Sequence, residues 1–105
     1  NDDQIVPILS LGGKGVISVL SNIMPRETHE ICRLFFDGRV RESAALQLKL
    51  IPLIHALFSD VNPIPVKEAL NLLGFRAGEC RMPLCAMSED KKENLKAQMQ
   101  KAGLI

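Results

Sequence analysis

The amino-acid sequence predicts a mainly α-helical chain that contains one buried β-strand. Helical periodicities recur in five separate segments, whereas only residues 16–20 form the nearly continuous, β-branched apolar run that is typical of a strand in a parallel sheet. Apolar residues make up 47% of the 105 residues, which is enough for a folded core and excludes general disorder. A lone strand leaves its backbone N–H and C=O groups unpaired, so the order helix, strand, helix indicates the end of a longer βαβ series.

The first predicted elements are a short helix over residues 3–11 and the strand that follows it. Apolar residues recur at helical spacing in this segment, and Asp2 or Asp3 is placed to cap its N-terminus. The glycine-rich segment 12–15 then forms the turn into the strand, because glycine readily adopts positive φ. We do not interpret it as a phosphate-binding loop, since such a loop follows a strand and has Ser or Thr after its lysine.

Four helices are predicted after the strand. Proline is accepted in the first turn of a helix, where backbone N–H groups have no helical partner, and glycine often ends a helix because it adopts positive φ. Ser88 is placed to cap the last helix, as Asn62 is for the helix before it. The predicted helices cover residues 25–37, 39–58, 62–73 and 88–102.

The longest predicted helix, over residues 39–58, has two apolar stripes. Residues two positions apart lie about 200° apart around a helix, so the stripes face opposite ways and predict burial on two sides. One stripe consists of Val40, Ala44, Leu48 and Ile51, and the other of Leu46, Leu50, Leu53 and Leu57.

Charge and metal-ligating residues exclude several functions. The 13 basic and 12 acidic residues nearly balance, so there is no basic surplus to indicate nucleic-acid binding. No uncharged stretch approaches the roughly 20 apolar residues of a membrane-spanning helix. The three cysteines, Cys32, Cys80 and Cys85, are odd in number and favour a reduced, cytoplasmic location over a disulfide framework. We interpret His29 and His55 as ordinary helix residues and predict no metal site.

Four short segments occur together in one order: 12–19 (GGKGVISV), 62–67 (NPIPVK), 81–84 (RMPL) and 102–105 (AGLI). In that order and at that spacing they resemble the dihydrodipicolinate synthase (4-hydroxy-tetrahydrodipicolinate synthase) family. The resemblance covers essentially the whole chain, and the joint occurrence of the segments distinguishes this family from the related N-acetylneuraminate lyases.

The resemblance implies the C-terminal portion of a (β/α)₈ barrel followed by a helical subdomain. On this mapping, residues 1–37 are the last part of the barrel, with helix 7, strand 8 and helix 8, and residues 38–105 are the C-terminal helical subdomain. Roughly the first 60% of the family's length lies outside this chain, together with the Schiff-base lysine and the tyrosines of the proton relay.

The resemblance also implies an activity. The family condenses pyruvate with aspartate semialdehyde on the route to diaminopimelate and lysine, through an imine with a lysine and without a cofactor or metal. It implies no catalytic residue in this chain. Ile17 is expected to line the pyruvate site, largely through its backbone, and Val19 to contribute more weakly. The family is usually a cytoplasmic homotetramer, and Leu11 is a candidate subunit contact.

The lysines of this chain are not placed to form the imine. A Schiff-base lysine must be dry and have a lowered pKa at the mouth of the barrel. Lys14 lies at the N-terminal end of its strand, and the others lie on the charged faces of predicted helices: Lys49, Lys67, Lys91, Lys92, Lys96 and Lys101. We therefore expect the 105-residue chain alone to be inactive.

A second function from a different class remains open at this point. The alternative is a free-standing helical interaction module that binds a partner by adding strand 16–20 to the partner's sheet.

Overall fold

The computed structural model describes all 105 residues and contains helices but no β-strand. Two short 3₁₀ turns precede and follow the first helix, at Asp2–Gln4 and Leu20–Asn22. The helices are all too short or too polar to span a lipid bilayer. Because the chain contains helices and no strand, the predicted mainly α fold is confirmed. The five α-helices are α1 (Ile5–Ser10), α2 (Pro25–Phe36), α3 (Val40–Leu57), α4 (Ile64–Leu72) and α5 (Glu89–Lys101).

The prediction of a strand over residues 16–20 is wrong for this chain. Val19 has helical backbone angles, φ −81° and ψ −42°, and Leu20 begins a 3₁₀ turn. A strand requires a ladder of backbone hydrogen bonds to a neighbouring strand. The N–H groups of Val19 and Leu20 instead donate hydrogen bonds to a side-chain carboxylate. The interaction-module hypothesis required a strand over residues 16–20, and the structure contains none.

The chain divides into two compact units, of which the first is Asn1–Ile51. Within it α1 packs against α2, and α2 also packs against the 3₁₀ turn Leu20–Asn22. Ile5 of α1 and Ile31 of α2 are almost completely buried in its core. α2 begins at Pro25, as predicted, and ends before Gly38, whose φ of +82° is the conformation that favours glycine.

The second unit is Pro52–Ile105, in which α4 packs against α5. Leu95 and Met99 of α5, which lie one turn apart on the same face of the helix, have no exposed surface. Ser88 occupies the N-cap position of α5, as predicted, but its side chain makes no capping hydrogen bond. The Ser88 hydroxyl lowers the pKa of the Asp90 carboxyl. The predicted cap at Asn62 is wrong, because Pro63 is the N-cap of α4 and no side chain caps it.

The prediction that α3 is buried on two sides is also wrong. Leu50, Leu53 and Leu57 of one stripe are buried, whereas Val40 is 44% exposed and Leu48 is 69% exposed. The buried side continues towards the N-terminus of α3 through polar residues, because the row that includes Leu50 also contains Ser43 and Gln47. Both are buried and hydrogen-bonded.

Leu50 and Leu48 of α3 provide a matched test of this burial pattern. We expect Leu50→Ala to lower the free energy of unfolding by about 2–5 kcal/mol, because it removes buried methyl groups and leaves a cavity. Leu48→Ala removes an exposed side chain from the same helix and should change it by less than about 0.5 kcal/mol. Urea unfolding followed by far-UV circular dichroism measures both, and equal losses would contradict the assignment of the buried side.

Candidate functional site

The candidate site is the segment that leads from α1 into α2 and carries Ile17. Two glycines make the turn at its start. Gly12 has a φ of +98°, and a Cβ atom on Gly13 would lie 2.8 Å from the carbonyl oxygen of Ile8. The Gly13 N–H donates to that same oxygen at 2.9 Å. The predicted glycine turn is therefore confirmed, and it requires glycine at both positions.

The carboxylate of Asp2 fixes the far end of this segment. It accepts hydrogen bonds from the Ser18 hydroxyl, from the Val19 N–H at 2.9 Å and from the Leu20 N–H at 3.1 Å. Asp2 has no exposed surface, so these bonds replace the water that the charge has lost. The predicted cap of the first helix is thus wrong for Asp2, because its carboxylate binds the start of the 3₁₀ turn at Leu20 instead.

Gln47 of α3 completes the arrangement from the other side. Its side-chain Nε2 donates to the backbone oxygen of Asp2 at 2.6 Å, and its Oε1 accepts the Val6 N–H at 3.0 Å. Gln47 is 4% exposed and spans more than 40 residues of sequence to reach both groups. The 3₁₀ turn that carries Asp2 and the first turn of α1 are therefore held directly against α3.

The residues after Ile17 are held in place, whereas the Ile17 side chain itself is fully exposed. The Ser21 N–H donates to the Ser18 hydroxyl at 2.9 Å, and the Ser21 hydroxyl donates to the Ser18 carbonyl at 3.0 Å. Val19 is half-buried. Ile17 is 100% exposed and lies directly before this hydrogen-bonded group. The segment thus presents one apolar side chain from a well-defined backbone.

The sequence interpretation missed Asp2 and Gln47 as residues that organise this segment. Asp2 was interpreted only as a helix cap, and no local pattern distinguishes a cap from a carboxylate that binds a distant backbone. Gln47 gave a usable signal, since it is a polar residue in the same helical row as Ser43, Leu50 and Ile54. A polar residue in such a row is expected to have a buried hydrogen-bond partner.

No lysine of the chain has the surroundings of a Schiff-base nucleophile. Lys14 is exposed, and Lys67 donates from Nζ to the Glu79 carbonyl oxygen at 2.7 Å. The Glu68 carboxylate, 3.0 Å from the Lys92 ammonium, raises the pKa of Lys92, which is opposite to the change that a nucleophile needs. The structure also contains no group of three or more His, Cys, Asp or Glu side chains that could hold a metal ion.

Comparison with known sequences agrees with the resemblance described above. The family model described as the Dihydrodipicolinate synthetase family matches residues 1–102. The 4-hydroxy-tetrahydrodipicolinate synthase of Caldicellulosiruptor bescii is 57% identical over 104 residues, which cover 99% of this chain and 35% of that protein. The chain thus spans about 35% of the length of such curated relatives.

Solved structures give the same result for the fold. The dihydrodipicolinate synthase of Thermotoga maritima matches with a TM-score of 0.97 and 46% identity, over 100% of this chain and 36% of that one. The chloride-inhibited enzyme of Acinetobacter baumannii, complexed with pyruvate, matches with a TM-score of 0.89 and 33% identity, over 99% of this chain and 36% of that one.

Asp2 and Asp3 provide a matched test of the carboxylate that holds the Ile17 segment. We expect Asp2→Asn to lower the free energy of unfolding by about 1–3 kcal/mol, because an amide NH₂ group would face the donors that now bind carboxylate oxygens. Asp3→Asn removes the neighbouring charge, but the buried Oδ1 of Asp3 has no hydrogen-bond partner, so a much smaller loss is expected. Thermal or urea unfolding measures both, and a loss from Asp3→Asn as large as that from Asp2→Asn would contradict this role.

Proposed function

Because this chain belongs to the dihydrodipicolinate synthetase family, we propose that it is the C-terminal part of a 4-hydroxy-tetrahydrodipicolinate synthase. The observation that carries the proposal is agreement over nearly the whole chain, with 57% identity to a curated synthase and a TM-score of 0.97 to a solved one. The fold is that of the C-terminal portion of a (β/α)₈ barrel enzyme. Within it we assign residues 1–37 to the end of the barrel and residues 38–105 to the helical subdomain.

The proposed reaction condenses pyruvate with aspartate semialdehyde by covalent catalysis. A lysine outside this chain attacks the keto carbon of pyruvate and forms an imine with loss of water. The imine withdraws electrons, so the pyruvate methyl group loses a proton and becomes an enamine that attacks the aldehyde carbon. The lysine side chain supplies the electron sink, so no cofactor or metal is needed. The solved Acinetobacter baumannii relative, which was complexed with pyruvate, supports the assignment of pyruvate as a substrate.

The contribution of this chain is to position part of the pyruvate site. In (β/α)₈ barrels the reacting groups lie at the C-terminal ends of the strands. Residues 16–20 supply the eighth of these segments and gain backbone partners from the rest of the barrel. Ile17 then lines the pyruvate site, mainly through its backbone, and Val19 contributes more weakly. The exposure of Ile17 beside a hydrogen-bonded backbone supports this role.

The intact enzyme is proposed to be a cytoplasmic homo-oligomer, with four subunits as is usual for the family. Leu11, which is 84% exposed at the end of α1, is a candidate subunit contact in that assembly. The balanced charge of the chain gives no support to nucleic-acid binding.

A chimera tests the proposed function. This chain replaces the matching 35% of the Caldicellulosiruptor bescii synthase, while the remainder of that enzyme is kept. We expect the chimera to form the condensation product and to retain an imine with pyruvate after borohydride reduction. The 105-residue chain alone is expected to form neither, because its lysines lack an activating environment. A chimera that folds and assembles but has no synthase activity would refute the proposal.

Ile17 is tested in the same chimera against Lys14, an exposed neighbour in the same segment. Ile17→Ala keeps the backbone that is proposed to line the site and removes only the apolar side chain, so it is expected to lower kcat/KM for pyruvate by no more than about tenfold. The stability of the chimera and its KM for aspartate semialdehyde should change little. Lys14→Ala should leave all of these constants unchanged. A loss much larger than about tenfold from Ile17→Ala would contradict the proposal that Ile17 lines the pyruvate site mainly through its backbone.

A further inference from the structure

The second unit contains a cavity of about 670 Å³ whose wall includes two thiols. Cys80 and Cys85 both line it, together with Met82 and Leu84 between them. Cys80 is half-buried and Cys85 is exposed, and both are free thiols in this structure. The function proposed above uses neither of these cysteines.

A hydrogen-bonded turn lies between the two cysteines. The Leu84 N–H donates to the Arg81 carbonyl oxygen at 3.1 Å, which closes a four-residue turn. The ends of such a turn lie less than about 7 Å apart between Cα atoms. Cys80 and Cys85 are the next residues on either side, so they lie on the two chain segments that leave the same turn. A disulfide between them requires a Cα separation of roughly 4.4–6.8 Å.

The two segments that leave the turn are also anchored to the rest of the unit. On the Cys80 side, the Glu79 carbonyl accepts from Lys67 of α4 at 2.7 Å, and the Gly78 carbonyl accepts from Asn71 at 3.0 Å. On the Cys85 side, Met87 is buried in the core. Both segments are therefore anchored beside the cavity that the two cysteines line.

We propose that Cys80 and Cys85 are a reversible dithiol site that low-molecular-weight disulfides oxidise to an intramolecular disulfide. The thiolate of Cys85, the more exposed residue, attacks one sulfur of the small disulfide and releases one small thiol. The thiolate of Cys80 then attacks the Cys85 sulfur of the mixed disulfide and releases the second. Each protein thiol gives up its proton, two small thiols form, and the small disulfide is reduced as the protein is oxidised.

Cys32 serves as an internal control because it lies on α2 in the first unit, which has no other cysteine. It is half-buried, and burial raises the pKa of its thiol, which lowers the fraction of reactive thiolate. A thiol of this kind is expected to exchange slowly and to form no intramolecular bond.

The test is an equilibrium titration of the full chain with reduced and oxidised glutathione. Peptide mapping by mass spectrometry quantifies the Cys80–Cys85 disulfide in native buffer and in about 8 M urea. The folded turn is expected to raise the effective concentration of one thiol at the other at least about tenfold over the urea value. Cys32→Ser should leave this result unchanged, and Cys80→Ser should stop the reaction at the mixed disulfide on Cys85.

Two results would overturn the proposal. One is an effective concentration in native buffer equal to or below that in urea, which would show that the fold does not bring the thiols together. The other is a disulfide that joins Cys32 to either residue in comparable yield, which would show that oxidation follows reactivity alone.

Discussion

A carboxylate that is removed from water must be fully hydrogen-bonded, or its burial costs several kcal/mol. Asp2 meets this requirement through the segment that carries Ile17, by accepting from Ser18, Val19 and Leu20. Bonds to a charged acceptor contribute about 1.5–3 kcal/mol each, so the charge and the segment depend on each other. Gln47 then bonds the backbone of Asp2 and ties the arrangement to α3. The buried Asp2 carboxylate therefore organises the first unit, because its hydrogen bonds fix the conformation of a loop that apolar packing alone would not fix.

In the second unit, a neutral side chain, that of Asn71, holds a loop by hydrogen bonds to its backbone. The loop between α4 and α5 contains no helix or strand, so its backbone groups need partners from elsewhere. The Asn71 side chain provides several at once, because Oδ1 accepts from Ala77 at 2.9 Å and Gly78 at 3.2 Å while Nδ2 donates to the Gly78 carbonyl. An amide that donates and accepts suits a loop that offers groups of both kinds. The wall of the cavity that contains Cys80 and Cys85 is consequently held to α4.

The parts of the structure that depend on local sequence were predictable. Helix α2 begins at Pro25 and ends before Gly38, as expected, and the glycine turn after α1 is where the sequence places it. Apart from the cap at Asn62, the failures concern contacts between residues far apart in the sequence. The strand over residues 16–20 was predicted from composition, but composition contains no information on which neighbour would pair with it. The role of Asp2 was missed for the same reason, since its partners lie 16 to 18 positions away.

In the proposed function, the Ile17 segment shows how the structural requirements of a barrel strand are divided between this chain and the rest of the enzyme. One part consists of bonds made within this chain, namely the glycine turn before residue 16 and the carboxylate bonds at residues 18–20. The other part is a backbone ladder along both edges, which only neighbouring strands supply. Without that ladder the segment is not a strand, and Ile17 remains 100% exposed. The hydrogen bonds at residues 18–20 set the position of Ile17. In the proposed barrel, neighbouring strands would cover this exposed residue, so that it becomes part of a pocket wall. In the proposed function, this chain therefore sets the position of Ile17, whereas the catalytic lysine is supplied by the rest of the enzyme.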